Sequence, residues 1–239
     1  MQKQTARLSY IFVLVSVAAA LLLLFRVPYG ADVTDNSYSV AEPYLLVRGA
    51  VPFCDNWSQT TPTYLLTAPI IRLFITITGG TEGVMVYTFY VSFFFRLAVP
   101  ILMWFLLRKR MEPLWVAVFC LLFFICDCGS QQTLNYNHIS LALLALGGAL
   151  LFNALGQEKP RNAAIRYALA GFVMALCALA HSTQIVNCFL FFVFLLVLEH
   201  RRWGKLPCWL PYALTGLITA ALTIVVLEVV GCSLEFFCF

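Results

Sequence analysis

The chain has 239 residues, 62% of them hydrophobic and 11% charged, with a formal net charge of +4. A soluble domain is about 25% charged, and 15 basic with 11 acidic side chains cannot cover a globular surface over this length. A soluble enzyme, a nucleic-acid binder and a disordered chain are thereby excluded, leaving an all-α, polytopic membrane helix bundle.

A hydrocarbon core of about 30 Å needs about 20 apolar residues in a helix. Seven stretches supply this or nearly so: 8–26, 84–107, 113–127, 137–155, 165–181, 183–199 and 208–230. The first follows Lys3 and Arg7, as a signal peptide would. Its apolar run is too long for that, and Arg26-Val27-Pro28-Tyr29 lacks the small residues of a cleavage site, so it is read as a retained span. An eighth stretch, 64–78, is short and carries Pro69 and Arg72.

Basic residues cluster at Lys3 and Arg7, at Arg108-Lys109-Arg110, at Lys159 with Arg161 and Arg166, and at Arg201, Arg202 and Lys205. With all four clusters in the cytoplasm, the N-terminus is inside. Residues 27–63, 127–136, the turn near His181 and the C-terminal tail are then outside. Parity allows only one crossing between residues 64 and 107, so 64–78 is predicted to lie along or re-enter the outer face. The expectation is about seven to eight transmembrane helices in the plasma membrane.

The first outer loop, 27–63, is more than a connector. It holds Asp32, Asp35, Glu42 and Asp55, and its four prolines forbid one continuous helix. Tyr38, Ala41, Leu45 and Leu46 predict a short helix over 37–48 lying on the membrane surface. The nine cysteines include no CxxC, the Cys126–Cys128 pair lacks further ligands, and all nine read as packing residues.

At this loop the sequence resembles a family. Asp35-Asn36-Ser37-Tyr38, Ala41, Gly49-Ala50-Val51-Pro52-Phe53, Asp55 and Thr61-Pro62 are similar to the first outer loop of GT-C glycosyltransferases. These polytopic enzymes, such as protein mannosyltransferases and aminoarabinose transferases, use polyprenyl-phosphate sugars. Asn36 stands where that pattern often has Glu, and Thr61 where it has the first of two prolines. Leu134-Asn135-Tyr136-Asn137 is similar to a motif of bacterial members. The resemblance implies a GT-C-like helix bundle that moves a sugar from a polyprenyl-phosphate donor to an acceptor at the outer face.

Such a transfer needs a base for the acceptor proton and cations or donors for the leaving phosphate. Asp35 lies about nine residues past the first span, within reach of the boundary where that phosphate sits; by resemblance it is the base. An N-cap role for a helix starting at Asn36 is the plainer reading and is compatible with it. Asp32 and Asp55 read first as solvated turn acids. Asp127 is either the second acid that the family carries in its next outer loop or an acid ending a helix. Asp35 and Asp127 could hold a divalent cation through oxygen, but two acids make no cluster. No metal and no cofactor are expected.

An arginine at a helix centre costs about 2.5–3.5 kcal/mol on insertion scales, which makes Arg72 and Arg96 candidates by position. Arg96 is read either as a phosphate ligand or as paired with an internal acid or backbone carbonyls. Arg48 is a further phosphate contact or a headgroup snorkel. Asn135, Tyr136 and Asn137 suit sugar hydroxyls, against interfacial anchoring and helix capping. His181 stands where the family commonly has a basic residue, against a satisfied interfacial histidine.

No Walker A, GxGxxG, HExxH or Gly-x-Ser-x-Gly motif occurs. Full GT-C enzymes are longer, so residues 1–239 are expected to form a single N-terminal module of one, with membrane lipid and the polyprenyl donor as partners and the acceptor open. The alternative is a non-catalytic transporter, flippase-type or lipid-carrier-binding component, which would place its polar residues near mid-membrane on broken helices.

Overall fold

The computed structural model describes residues 2–29, 35–55, 60–126, 132–157, 159–199 and 209–229; side chains at 2–10, 35, 160, 198 and 199 are outside the description. Among the described residues there are nine helices: α1 (Gln2–Arg26), α2 (Asp35–Val47), α3 (Thr61–Thr78), α4 (Val84–Leu107), α5 (Pro113–Ile125), α6 (Tyr136–Leu155), α7 (Pro160–Ala180), α8 (Gln184–Glu199) and α9 (Trp209–Val229).

Proline sets several of the starts. It sits in the first turn of α3, α5 and α7, where its missing N–H has no intrahelical partner to lose. Gly79 ends α3 in the left-handed conformation (φ 73°), its N–H donating to the Ile75 carbonyl; a side chain would be strained there.

The centre of the bundle is the antiparallel pair α6 and α7. Tyr167, Ala170, Met174 and Leu195 are essentially inaccessible there, and the Cys177 thiol donates to the Ser140 carbonyl at 3.1 Å. On one side α4 packs along α6 through Val99, Met103, Ala142 and Ala149. The Asn153 amide donates to the Leu106 carbonyl. α5 returns beside α4, Phe93 meeting Phe124 edge-on at 6.0 Å, and α1 closes on both through Val27 and Phe89. On the other side α9 crosses α7 at Gly171, where an added Cβ would strike the Tyr212 carbonyl and the Thr215 hydroxyl. Thr215 Oγ1 donates to the Ala168 carbonyl at 2.8 Å.

These contacts define two ends. α1, α5 and α7 finish, and α4 and α6 begin, at the end that carries α2. Arg108, Lys109, Arg110, Lys159 and Arg161 lie at the opposite, basic end, where the Arg110 guanidinium covers Gly156. Both ends of α3 lie at the α2 end: Thr63 donates to the Ala180 carbonyl, while Phe74 packs on Tyr87 at 4.8 Å, beside the start of α4. A helix that leaves and returns to one end lies across the bundle.

Among the described residues, four helices are long and apolar enough to cross a membrane: α4, α6, α7 from Arg161, and α9. The outer surface demands such a solvent, with Leu14 68%, Phe25 72% and Val229 81% exposed among many other large apolar side chains. Three further predicted spans have shorter described apolar stretches. The 13 residues of α5 rise about 20 Å, and α1 and α8 are apolar over Ile11–Arg26 and Gln184–Val197. The surface helix predicted at 37–48 runs from Asp35 to Val47. Of the cysteines expected to pack, Cys120 and Cys177 are buried, whereas Cys54, within a turn, and Cys126, directly after α5, are exposed.

Candidate functional site at the α2 end

Asn36 is the residue around which this end is built. It is fully buried, and its Oδ1 accepts from the Gln132 N–H at 2.8 Å, the Thr133 N–H at 3.2 Å and the Thr133 hydroxyl at 3.1 Å. One side-chain carbonyl thus joins the start of α2 to the connection before α6, nearly a hundred residues away. Its Nδ2 is buried with no hydrogen-bond partner among the described residues. Composition gave no signal for this role. In the sequence the position stands out only as a departure from the Asp-Glu pair; in the structure asparagine supplies a neutral acceptor that buries at lower cost than a carboxylate.

The connection reached by Asn36 continues into the second predicted cluster. Asn135 is buried and caps α6, its Oδ1 accepting from the His138 N–H at 2.9 Å; capping is the plainer of the two roles expected for it. His138 Nδ1 lies 3.2 Å from the Thr133 carbonyl. The next residue, Tyr136, rests on His181 with ring centroids 5.0 Å apart. His181 ends α7 and is hydrogen-bonded to Thr183 through Nδ1. Asn137 is half-buried in the first turn of α6, its carbonyl accepting from the Ser140 hydroxyl at 3.2 Å.

α2 begins at Asp35, one residue earlier than the capping role places the helix start. The Asp35 carboxylate, Asp32 and Asp127 lie outside the described residues and side chains. Asp35 is nonetheless adjacent in sequence to Asn36, and Asp127 is five residues before Gln132, so the chain brings the two acid-bearing segments to one end.

The structure does not gather every predicted residue. α2 is continuous from Asp35 to Val47, so Arg48 stands about 20 Å along the axis from Asp35 at 1.5 Å per residue. It is exposed, at the opposite end of α2 from Asp35. Asp55 Oδ2 accepts from the Val51 N–H at 2.7 Å, a turn-closing role. Arg96 lies twelve residues into α4, about 18 Å from its start, and its Nη2 donates to the Phe124 carbonyl at 3.3 Å. A backbone-carbonyl partner is one of the roles predicted for it. Arg72 lies on the exposed face of α3.

A further group faces α2 from α3. Tyr38 meets Tyr64 edge-on at 6.0 Å, and Tyr64 Oη is 3.0 Å from Thr60 Oγ1. Burial raises the Tyr64 phenol well above the ordinary range of tyrosine, with the nearby Glu42 adding to the shift. Burial likewise raises Glu42 above its usual 4.5. Among the described residues, no three His, Cys, Asp or Glu side chains are grouped to hold a metal ion.

A separate apolar groove of about 500 Å³ runs between α1, α4 and α5. No family model, no curated protein and no solved structure matches this chain.

Proposed function

We propose that this chain is a GT-C-like membrane glycosyltransferase module, moving a sugar from a polyprenyl-phosphate donor to an acceptor hydroxyl at the α2 end. In this reading α1 and α4–α9 cross the plasma membrane, α3 lies on the outer face, and the N-terminus and the basic end are cytoplasmic. The observation that carries it is the Asn36 junction. It fixes the helix start that bears Asp35 against the connection that leads from Asp127 to Tyr136. A passive connector would not need a buried, triply accepting asparagine.

In the reaction, Asp35 takes the proton of the acceptor hydroxyl, whose oxygen attacks the anomeric carbon. The bond from that carbon to the phosphate oxygen breaks, and polyprenyl phosphate leaves with the electron pair. His181, held against Tyr136, supplies a donor for the phosphate, and Asn137 supplies polar contact to sugar hydroxyls. Arg96 keeps α4 and α5 in register from deeper in the bundle. No metal or cofactor takes part.

The test is binding and turnover of a short-chain polyprenyl-phosphate mannose by the full chain in proteoliposomes. Stabilisation by the sugar donor above that by plain polyprenyl phosphate, with the excess lost in Asn137→Ala and both weakened in His181→Ala, supports the reading. Absence of any donor-dependent shift overturns it. Equal binding of carrier with and without sugar would instead assign the chain to a lipid-carrier-binding component without catalysis.

A further inference from the structure

The groove between α1, α4 and α5 lies away from the α2 end and takes no part in the transfer reading. Its wall is almost wholly apolar, with Phe12 and Val13 from α1, Pro100, Trp104 and Phe105 from α4, and Ala117 from α5. Among the described residues lining it, the one hydroxyl, Ser16, donates its proton to the Phe12 carbonyl at 2.9 Å. At its deep end is Phe124, whose carbonyl is occupied by Arg96. Its other end opens at Pro113, beside the basic turn.

Length and charge identify the occupant. From Pro113 to Phe124 the groove follows eleven residues of α5, about 16 Å at 1.5 Å per residue, which is about half of a 30 Å hydrocarbon core. It therefore fits a chain belonging to one leaflet, not a long isoprenoid crossing the bilayer. At the mouth the Arg108 guanidinium lies over Trp104 at 4.5 Å and Phe105 at 4.8 Å, two residues of the groove wall. No carboxylate pairs with Arg108 among the described residues, and its Nε is buried without a hydrogen-bond partner there. Lys109 and Arg110 follow it directly. A cation held on the rim of a one-leaflet apolar slot is complementary to a lipid with one negative headgroup and a fatty acyl chain.

We propose that the α1–α4–α5 groove is a binding site for an anionic phospholipid of the leaflet at the basic end, with its acyl chain along Pro100 and Ala117 and its phosphate against Arg108. The site stands independently of sugar transfer, so either proposal survives the failure of the other.

Trp104 provides the reporter. Trp57, Trp115, Trp203 and Trp209 are replaced by Phe, and the full chain is placed in nanodiscs of phosphatidylcholine. Quenching of Trp104 is then compared for brominated phosphatidylglycerol and brominated phosphatidylcholine at equal mole fraction. The anionic lipid is expected to associate about fivefold more strongly, the factor that one basic residue near a charged headgroup supplies. Bromines near the headgroup end of the chain should quench more than bromines near its methyl end, since Trp104 is only four residues from Arg108. Arg108→Gln should bring the ratio close to one, and Ala117→Phe should lower quenching by both lipids by filling the slot. Inorganic phosphate should leave the signal unchanged. Equal quenching by the two lipids, an anionic preference that survives Arg108→Gln, or stronger quenching from the methyl end would each overturn the proposal. Loss of the preference to inorganic phosphate would assign the cation to a free anion instead.

Discussion

Replacing Asn36 by Ala removes one oxygen and strands three donors. Thr133 is 1% exposed, so its N–H, now 3.2 Å from Asn36 Oδ1, has no water to turn to and costs about 1–3 kcal/mol unpaired. Gln132 is half-buried; its N–H is rehydrated in part, and about 1 kcal/mol is lost with that bond. The Thr133 hydroxyl rotates freely and contributes least. The sum is about 2–4 kcal/mol, all of it at the junction between α2 and the connection before α6. Thr133→Val removes only the hydroxyl bond and should cost about 1 kcal/mol. Equilibrium unfolding in mixed micelles measures both, and the double variant should cost less than the two added, because the partners are shared. Limited proteolysis should open first within 132–135. If Asn36→Ala costs no more than Thr133→Val, the asparagine is not the tie that joins these segments.

Asp35→Asn should leave folding intact while transfer from a polyprenyl-phosphate sugar falls by roughly 10²–10⁴, as for loss of a general base; Asp32→Asn is the control, and equal activity of both would remove Asp35 from that role. Gly171→Ala should destabilise, since its Cβ meets the Tyr212 backbone, by about 1–3 kcal/mol of overpacking less the ~1 kcal/mol helix gain. Gly148→Ala, 3.7 Å from Phe191, should be neutral or stabilising in the same unfolding assay. Because burial raises the Glu42 pKa above 4.5, the protonated carboxyl favours the fold; that contribution is complete below about pH 4.5 and is lost as pH rises through the raised value. Glu42→Gln should flatten this slope in a pH series of melting curves. Maleimide labelling should reach a cysteine at Lys109 only from the cytoplasmic side and one at Ser182 only from outside, and the reverse pattern would invert the topology.

The helices were legible because an apolar run states its own solvent. Residues 84–107 and 208–230 carry one charged side chain each, Arg96 and Glu228, in otherwise apolar runs, so their existence follows from composition, and the described helices Val84–Leu107 and Trp209–Val229 lie on them. The same holds for the short helix in the first loop, whose apolar spacing placed it within two residues of its observed start. The lie of α3 was legible only through charge parity, an indirect argument; the contacts of Thr63 with Ala180 and Phe74 with Tyr87 are what put both its ends at one end of the bundle. For the candidate site, sequence selected residue types suited to a chemistry but had no measure of distance. It grouped Arg48 with Asp35, which a continuous helix separates, and left Arg96 open between a phosphate and an internal partner, where the structure shows the Phe124 carbonyl. It noted Asn36 only as a departure from a pattern, because an asparagine's worth lies in what it accepts, and those donors come from residues 132 and 133. Hydropathy is a property of each segment taken alone. The partner of a buried polar atom is decided only when distant segments meet.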